Sequence, residues 1–396
     1  MQDAAQPDEL RAFVWEKCGM PTERCPLNVR VVGRMEFDDF VIEKLVYDAE
    51  PFSSVPAHLY LPRDVQGPIP AIIMAHGHGG SKSVFFNQYA GQLYAKAGLA
   101  VLSTDPLGEE ERDPDGRIGT RGHDRISEQA QELGRPVLGK MVWDLIRGID
   151  YLETRPEIDQ AHIGVAGHSL GAIVGAYLAA LDERIEVAIL AAMYFVPPRT
   201  QKFCTRGMYE LIEDRVDYPI LLALAAGRCA TMIPVGDDDA VCGGREVYEQ
   251  GFTEAFRRAS ELFDEAGAAD GIAKHVYAGA GHRPYFLTTE ALLWLEEHIG
   301  LPRMSAEQAR ALPLIRMSAW ARANGVAFER LYGTDEHYAG LEVPDVGVRF
   351  LPPSELACLS PDERRQWAFT MSRWLGRIAK AKAEAQDNKP PSNRLD

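Results

Sequence analysis

The chain has no run of about 18 uninterrupted apolar residues, which argues against a membrane-spanning helix. Its opening, MQDAAQPDEL, lacks a basic end followed by an apolar stretch, so no secretion signal is read and a cytoplasmic protein is expected. Basic residues form no stripe, and the net charge is −16. Nucleic acid and an anionic membrane surface are therefore poor partners, and the acidity reads as a solubility device. Cysteine is sparse: six residues, at 18, 25, 204, 229, 242 and 358, form no CxxC and no zinc-like Cys/His spacing. Free thiols are expected, although Cys18 and Cys25 lie close enough in sequence to bridge. No internal repeat is present, and neither GxGxxG nor GxxxxGK[ST] occurs at the glycine-rich HGHGG (76–80), so no phosphate loop and no cofactor are expected.

What is present is an ordinary globular composition, 46% hydrophobic and 25% charged over 396 residues. That length suits one large core domain with extensions. Residues 1–28 read as a helical segment and a Pro-rich joint. Alternating runs at 29–33, 40–48 and 57–62 read as an antiparallel edge. From residue 71 the pattern changes to short continuous apolar runs (71–75, 99–104, 162–167, 187–192, 229–235, 273–278). Helical stretches at 87–98, 138–155, 172–181, 245–267 and 289–299 separate or follow them. Such alternation predicts an α/β fold: a mostly parallel, doubly wound sheet covered on both faces. The expected divisions are a core over 29–300, a helical extension packed on it over 301–386, and a loose tail over 387–396. Within the extension, 305–325 and 361–386 are expected to be helices around a Pro-rich joint.

In a sheet of this kind ligands sit beyond the carboxyl ends of the strands. At one such end the chain reads GVAGHSLGA (164–172). A serine on a sharp strand-to-helix turn takes a strained backbone, and side chains two residues before and after it would collide with neighbouring elements. Glycines 167 and 171 remove that collision and hold the Ser169 hydroxyl above the sheet, at a helix N-terminus. A serine hydroxyl needs a base, and the base needs an orienting acid. His282, in AGAGHRPY just after the sixth run, is the candidate base, whereas His58, His162 and His275 read as structural and His298 as a charge at a helix C-terminus. The loop VGDDDAV offers Asp237, Asp238 and Asp239 as the acid, and spacing does not choose among them. HGHGG supplies glycines for an oxyanion hole through His78 and Gly79, with the Leu170 N–H as second donor. His76 and His78 alone make a poor metal pair, with no third ligand indicated, so no metal is expected.

On these motifs the chain resembles an α/β-hydrolase. GHSLG stands for the nucleophile elbow and HGHGG for the oxyanion loop, in the order Ser, acid, His. The stretches VPAHLYLP, STDPLGEEER, WDLIRGIDYLETRPEIDQAHIGVAGHSLG and AGAGHRPYF are similar to acetyl xylan esterase and cephalosporin-C deacetylase-like enzymes, and to dienelactone-hydrolase-like proteins. The resemblance covers roughly 29–300. The family pattern G-x-x-D, carried onto Gly236, implies Asp239 as the acid, with Ser169 as nucleophile and His282 as base. Arg283 and His168 border the implied site as substrate-binding candidates. Aromatics of the extension (Trp320, Tyr332, His337, Tyr338) could wall it, with helix packing as the plainer reading.

The resemblance implies a serine esterase that removes small acyl groups from carbohydrate-like esters. Alternatives are a glucuronoyl methylesterase, a prolyl-oligopeptidase-type peptidase, or a non-catalytic binding protein on the same scaffold. The 70 residues before the first buried run are too few for the propeller that such peptidases usually carry. A small-molecule ester is the expected partner, and a homo-oligomer is left open.

Overall fold

Strands that are apolar along their whole length end in the middle of one sheet. The computed structural model describes residues 6–198, 203–327, 340–366 and 370–387. Nine strands pair in the order β1-β2-β3-β5-β4-β6-β7-β8-β9. Their bounds are Arg30–Glu36, Phe40–Glu50, Ser53–Pro62, Ile69–Ala75, Ala100–Thr104, Ile158–His168, Ile185–Ala191, Ala230–Gly236 and Ile272–Tyr277 for β1 to β9. The first three are antiparallel to their neighbours, and β4 to β9 are parallel. β1, the edge, leaves Val31 and Val32 exposed, whereas β4 is buried throughout.

The period of two along β4 divides its side chains between two cores. Ala71, Ile73 and Ala75 face one core, which contains buried residues of helices Val137–Glu153 and Leu170–Leu181. Ile72 and Met74 face the other, beneath helices Phe85–Ala97 and Thr289–Ile299. Among the described residues, no helix is long and apolar enough to cross a membrane. All six cysteines are free, as expected.

The extension shares the two existing cores: its last helix adds Trp374 and Ile378 to the first, and the rest of it contributes mainly to the second. Met317, Trp320, Leu341, Val343 and Leu351 all belong to it. Trp320 packs against Phe85 and Tyr89 and donates its indole N–H to Val348 O at 2.8 Å. It therefore follows the packing reading; Tyr332, His337 and Tyr338 lie outside the described residues. Two buried glutamines grip the backbone of the extension. Gln88 donates to Leu351 O and accepts from Leu351 N, both at 2.9 Å. Gln92 does the same with Arg349, at 2.7 and 3.1 Å. Buried Lys82 gathers Asp105, Glu110 and Glu111 within 2.6–2.8 Å, and Glu111 accepts the backbone N–H groups of Cys358 and Leu359.

The sequence reading of 305–325 as helical is corrected. Helix Ala306–Ala311 stops because the ring of Pro313 pushes Leu312 out of helical geometry, to φ −61°, ψ 137°. Residues Leu314–Arg316 then form β10, antiparallel to β11 (Glu342–Pro344), before helix Met317–Ala323. In 361–386 a short turn at Pro361–Arg364 precedes helix Met371–Asp387. The 245–267 helix holds one π-turn, Tyr248–Phe252, between α-helical flanks.

Two of the histidines read from sequence as outside the catalytic set have a measurable consequence. Burial first pushes the rings of His58 and His76 down from 6.5 to about 4. His58 donates from Nε2 to Leu356 O at 2.7 Å, and His76 Nε2 meets the Ser103 hydroxyl at 3.1 Å. The unfolded chain protonates these rings below about pH 6.5, while the folded protein resists until about 4. Stability from the neutral rings is therefore full above pH 6.5 and is lost as pH falls toward 4. At pH 5.5 each ring should cost about 1 kcal/mol relative to pH 7.5. Urea midpoints at the two pH values measure this; equal midpoints count against it.

Candidate active site

Four loops, at the carboxyl ends of β4, β6, β8 and β9, build the site. The β6 turn comes first. Ser169 has φ 59° and ψ −122°, a left-handed conformation that costs a non-glycine residue energy. The turn is held because the Ser169 N–H donates to Ala191 O at 3.0 Å, and because helix Leu170–Leu181 starts at the next residue. The two flanking glycines are obligatory. A Cβ on Gly167 would lie 2.2 Å from Gly171 O, and one on Gly171 2.0 Å from Ala75 O. Ser169 itself is half-buried.

The β8 and β9 loops supply the pair behind it. Asp239 is fully buried, and its Oδ2 lies 2.6 Å from His282 Nδ1. Its Oδ1 accepts the N–H groups of Val241 and Cys242, so the carboxylate is aimed by its own turn. With Nδ1–H donating to the carboxylate, Nε2 of His282 is left as the basic nitrogen. The other two aspartates are used elsewhere. Asp237 accepts the Gly279 N–H at 2.7 Å and pairs with Arg245, while the Asp238 N–H donates to Ala280 O. The two loops are thereby tied together.

Two tyrosines that the sequence reading did not single out also position the pair. Tyr194 accepts the Asp239 N–H at 3.1 Å and donates to Gly236 O. Tyr285 donates to Gly281 O, next to the base. Gly236 packs so tightly under the β9 loop that a Cβ would fall 2.0 Å from Ala280 O. Tyrosines in apolar surroundings carry no sequence mark that separates this role from packing.

His168 connects the two halves. Its ring lies 4.6 Å from that of His282 and 5.9 Å from that of Phe86, and it is 4% exposed. Burial first, and the neighbouring His282 second, hold it well below the usual imidazole range. A neutral, buried ring beside the base suits positioning of that base. Arg283 is half-buried and its charge lies near the Tyr285 hydroxyl.

The HGHGG loop lies directly against the elbow. A Cβ on Gly77 would sit 2.8 Å from His168 O and 3.4 Å from Ser169 Cβ, and Gly79 has φ 73°. Leu170, buried, opens its helix, so its N–H has no partner within that helix. The loop and the start of the helix thus both lie beside Ser169. The side chain of His78 turns elsewhere, to His123, Asp124 and Cys204.

Residues 55–225 match the model of the Dienelactone hydrolase family. "Putative hydrolase YtaP" of Bacillus subtilis (strain 168) is 28% identical over 221 residues, covering 51% of this chain and 70% of that protein. Among solved structures, the one described as "Methylesterase BT1017" superposes with a TM-score of 0.63 at 17% identity, over 96% of this chain and 76% of the other. A "putative acetyl xylan esterase" of Bacteroides fragilis NCTC 9343 superposes with a TM-score of 0.54 at 18% identity, over 68% and 74% of the two chains. Residues 55–225 are thus similar to the Dienelactone hydrolase family, and the fold of the chain is that of an α/β-hydrolase.

Proposed function

We propose that this α/β-hydrolase is a serine carboxylic-ester hydrolase, with Ser169 as nucleophile, His282 as base and Asp239 as acid. The observation that carries the reading is the buried 2.6 Å Asp239–His282 pair, packed through His168 against the strained turn that presents Ser169. His282 Nε2 takes the Ser169 proton as Oγ attacks the ester carbonyl. The oxyanion is met by N–H donors of Leu170 and of His78 or Gly79. His282 then protonates the departing alcohol, and water, activated by the same ring, releases the acyl group. Losing one oxyanion donor typically raises the barrier by about 3–4 kcal/mol.

The likeness to acetyl xylan esterase supports a small acyl group on a carbohydrate-like alcohol. A second reading, a methyl ester of a uronate, is favoured by Arg283 beside the base and by the likeness to a methylesterase. A panel of acetylated sugars, uronate methyl esters and nitrophenyl esters of increasing acyl length separates them, with acetyl esters expected to be fastest. A fluorophosphonate probe should place one adduct per chain, on Ser169. A folded protein that takes no adduct would be a binding protein on this scaffold.

A further inference from the structure

Behind the oxyanion loop, four donor side chains from three separate segments face one another. His78 comes from the loop after β4, His123 and Asp124 from the 3-10 turn Gly122–Ile126, and Cys204 from helix Phe203–Glu210. One ligand atom from each lies within 4.8 Å of all the others. His78 Nε2 is 3.2 Å from Cys204 Sγ and 3.6 Å from Asp124 Oδ1. Asp124 Oδ1 is 3.5 Å from both Cys204 Sγ and His123 Nε2. The sequence pointed to no third ligand for His78 because the other three donors stand 45 or more positions away.

We infer that His78, His123, Asp124 and Cys204 form a binding site for a divalent zinc ion. Bonds of about 2.0–2.3 Å at tetrahedral angles put neighbouring ligand atoms about 3.3–3.8 Å apart, the range these pairs already approach. Two imidazoles, a carboxylate and a thiolate are a donor set that suits zinc. Thiolate and carboxylate together balance the charge of the ion. The Nε2 of buried His123 makes no hydrogen bond, since its contact with Asp124 is long. Leaving such a nitrogen unmet typically costs about 1–3 kcal/mol, which an ion would remove. Burial, and then Asp124, raise the Cys204 thiol, so without a cation it keeps its proton. On binding, the S–H bond breaks, the S–Zn bond forms and the proton leaves to solvent.

Four protein ligands make the site closed, hence structural rather than catalytic. It would fasten Gly77–Gly80 to the 122–126 turn and to helix Phe203–Glu210. If the loop donates to an oxyanion, as proposed above, the ion stiffens that donor without touching substrate. Its binding is measured independently of that reading.

The full chain, stripped with chelator and desalted, is titrated with Co2+ as probe. One equivalent per chain should give tetrahedral d–d absorption and a thiolate-to-cobalt charge-transfer band, and one equivalent of Zn2+ should erase both. Cys204→Ser should lose the charge-transfer band, and His123→Gln should weaken Zn2+ binding at least about tenfold. His282→Asn should change neither, which separates this site from the group Asp239, Cys242 and His282, whose donor atoms also lie close together. Zn2+ should raise the melting temperature of the parent and not of His123→Gln. No spectral change with excess Co2+ on the folded parent overturns the inference, and so does a charge-transfer band that survives Cys204→Ser.

Discussion

Ser169→Ala should lower kcat for p-nitrophenyl acetate by about 10^6-fold, leaving only the rate that bound substrate and oxyanion donors sustain without a nucleophile. The substitution removes one oxygen from a turn whose shape depends on glycines 167 and 171 and on the Ser169 N–H bond to Ala191 O, all of which remain. Alanine at φ 59° bears the same backbone strain as serine, so the fold should persist. Steady-state kinetics with a melting curve for each protein make the comparison. A folded variant within tenfold of the parent would reject an acyl-enzyme on Ser169 and with it the proposed mechanism.

The second large effect belongs to Asp239→Asn, expected to reduce kcat by about 10^4-fold. The amide keeps the size of the carboxylate and can still accept from Val241 and Cys242 through its oxygen. Its NH2 would then face His282 Nδ1, which must accept instead of donate. The proton moves to Nε2, and the ring presents an N–H to the serine where a lone pair is needed. Asp237→Asn and Asp238→Asn should stay within a few-fold of the parent, because Asp237 is engaged with Gly279 and Arg245, and Asp238 is engaged through its backbone. Equal losses at all three positions would mean that the loop, and not one carboxylate, is what matters.

The contrast among these aspartates shows where the sequence stops being legible. Apolar runs at 71–75, 99–104, 162–167, 187–192, 229–235 and 273–278 predict strands, and β4 to β9 fall on them; the inner strands leave a continuous hydrophobic mark because both their faces are covered, while β9, at the edge, is only partly buried. Ser169 is legible because its glycines are required by two backbone oxygens that a Cβ would strike. His282 is legible from its loop after the last strand. Asp239 is not, except through family resemblance, since three identical side chains in a row carry no directional signal. Only the fold shows which one Tyr194 and the Val241 turn aim at the imidazole. Lys82 is hidden for a different reason: a lysine reads as surface, and its burial rests on three carboxylates that only the folded chain assembles. The β10–β11 pairing joins segments separated by 25 residues, and neither three-residue strand is long enough to show a period.

The double grip of Gln88 and Gln92 on Leu351 and Arg349 imitates one edge of a ladder, with primary amides standing in for a neighbouring strand. An amide reads main chain and ignores whatever side chain is attached to it. Residue identity is thus free to drift at exposed 349, proline excepted because its N–H is claimed, whereas Leu351 is also held apolar by the second core. Spacing is not free to drift: deleting residue 350 would put one glutamine out of step with its target, so length there is inherited more strictly than composition.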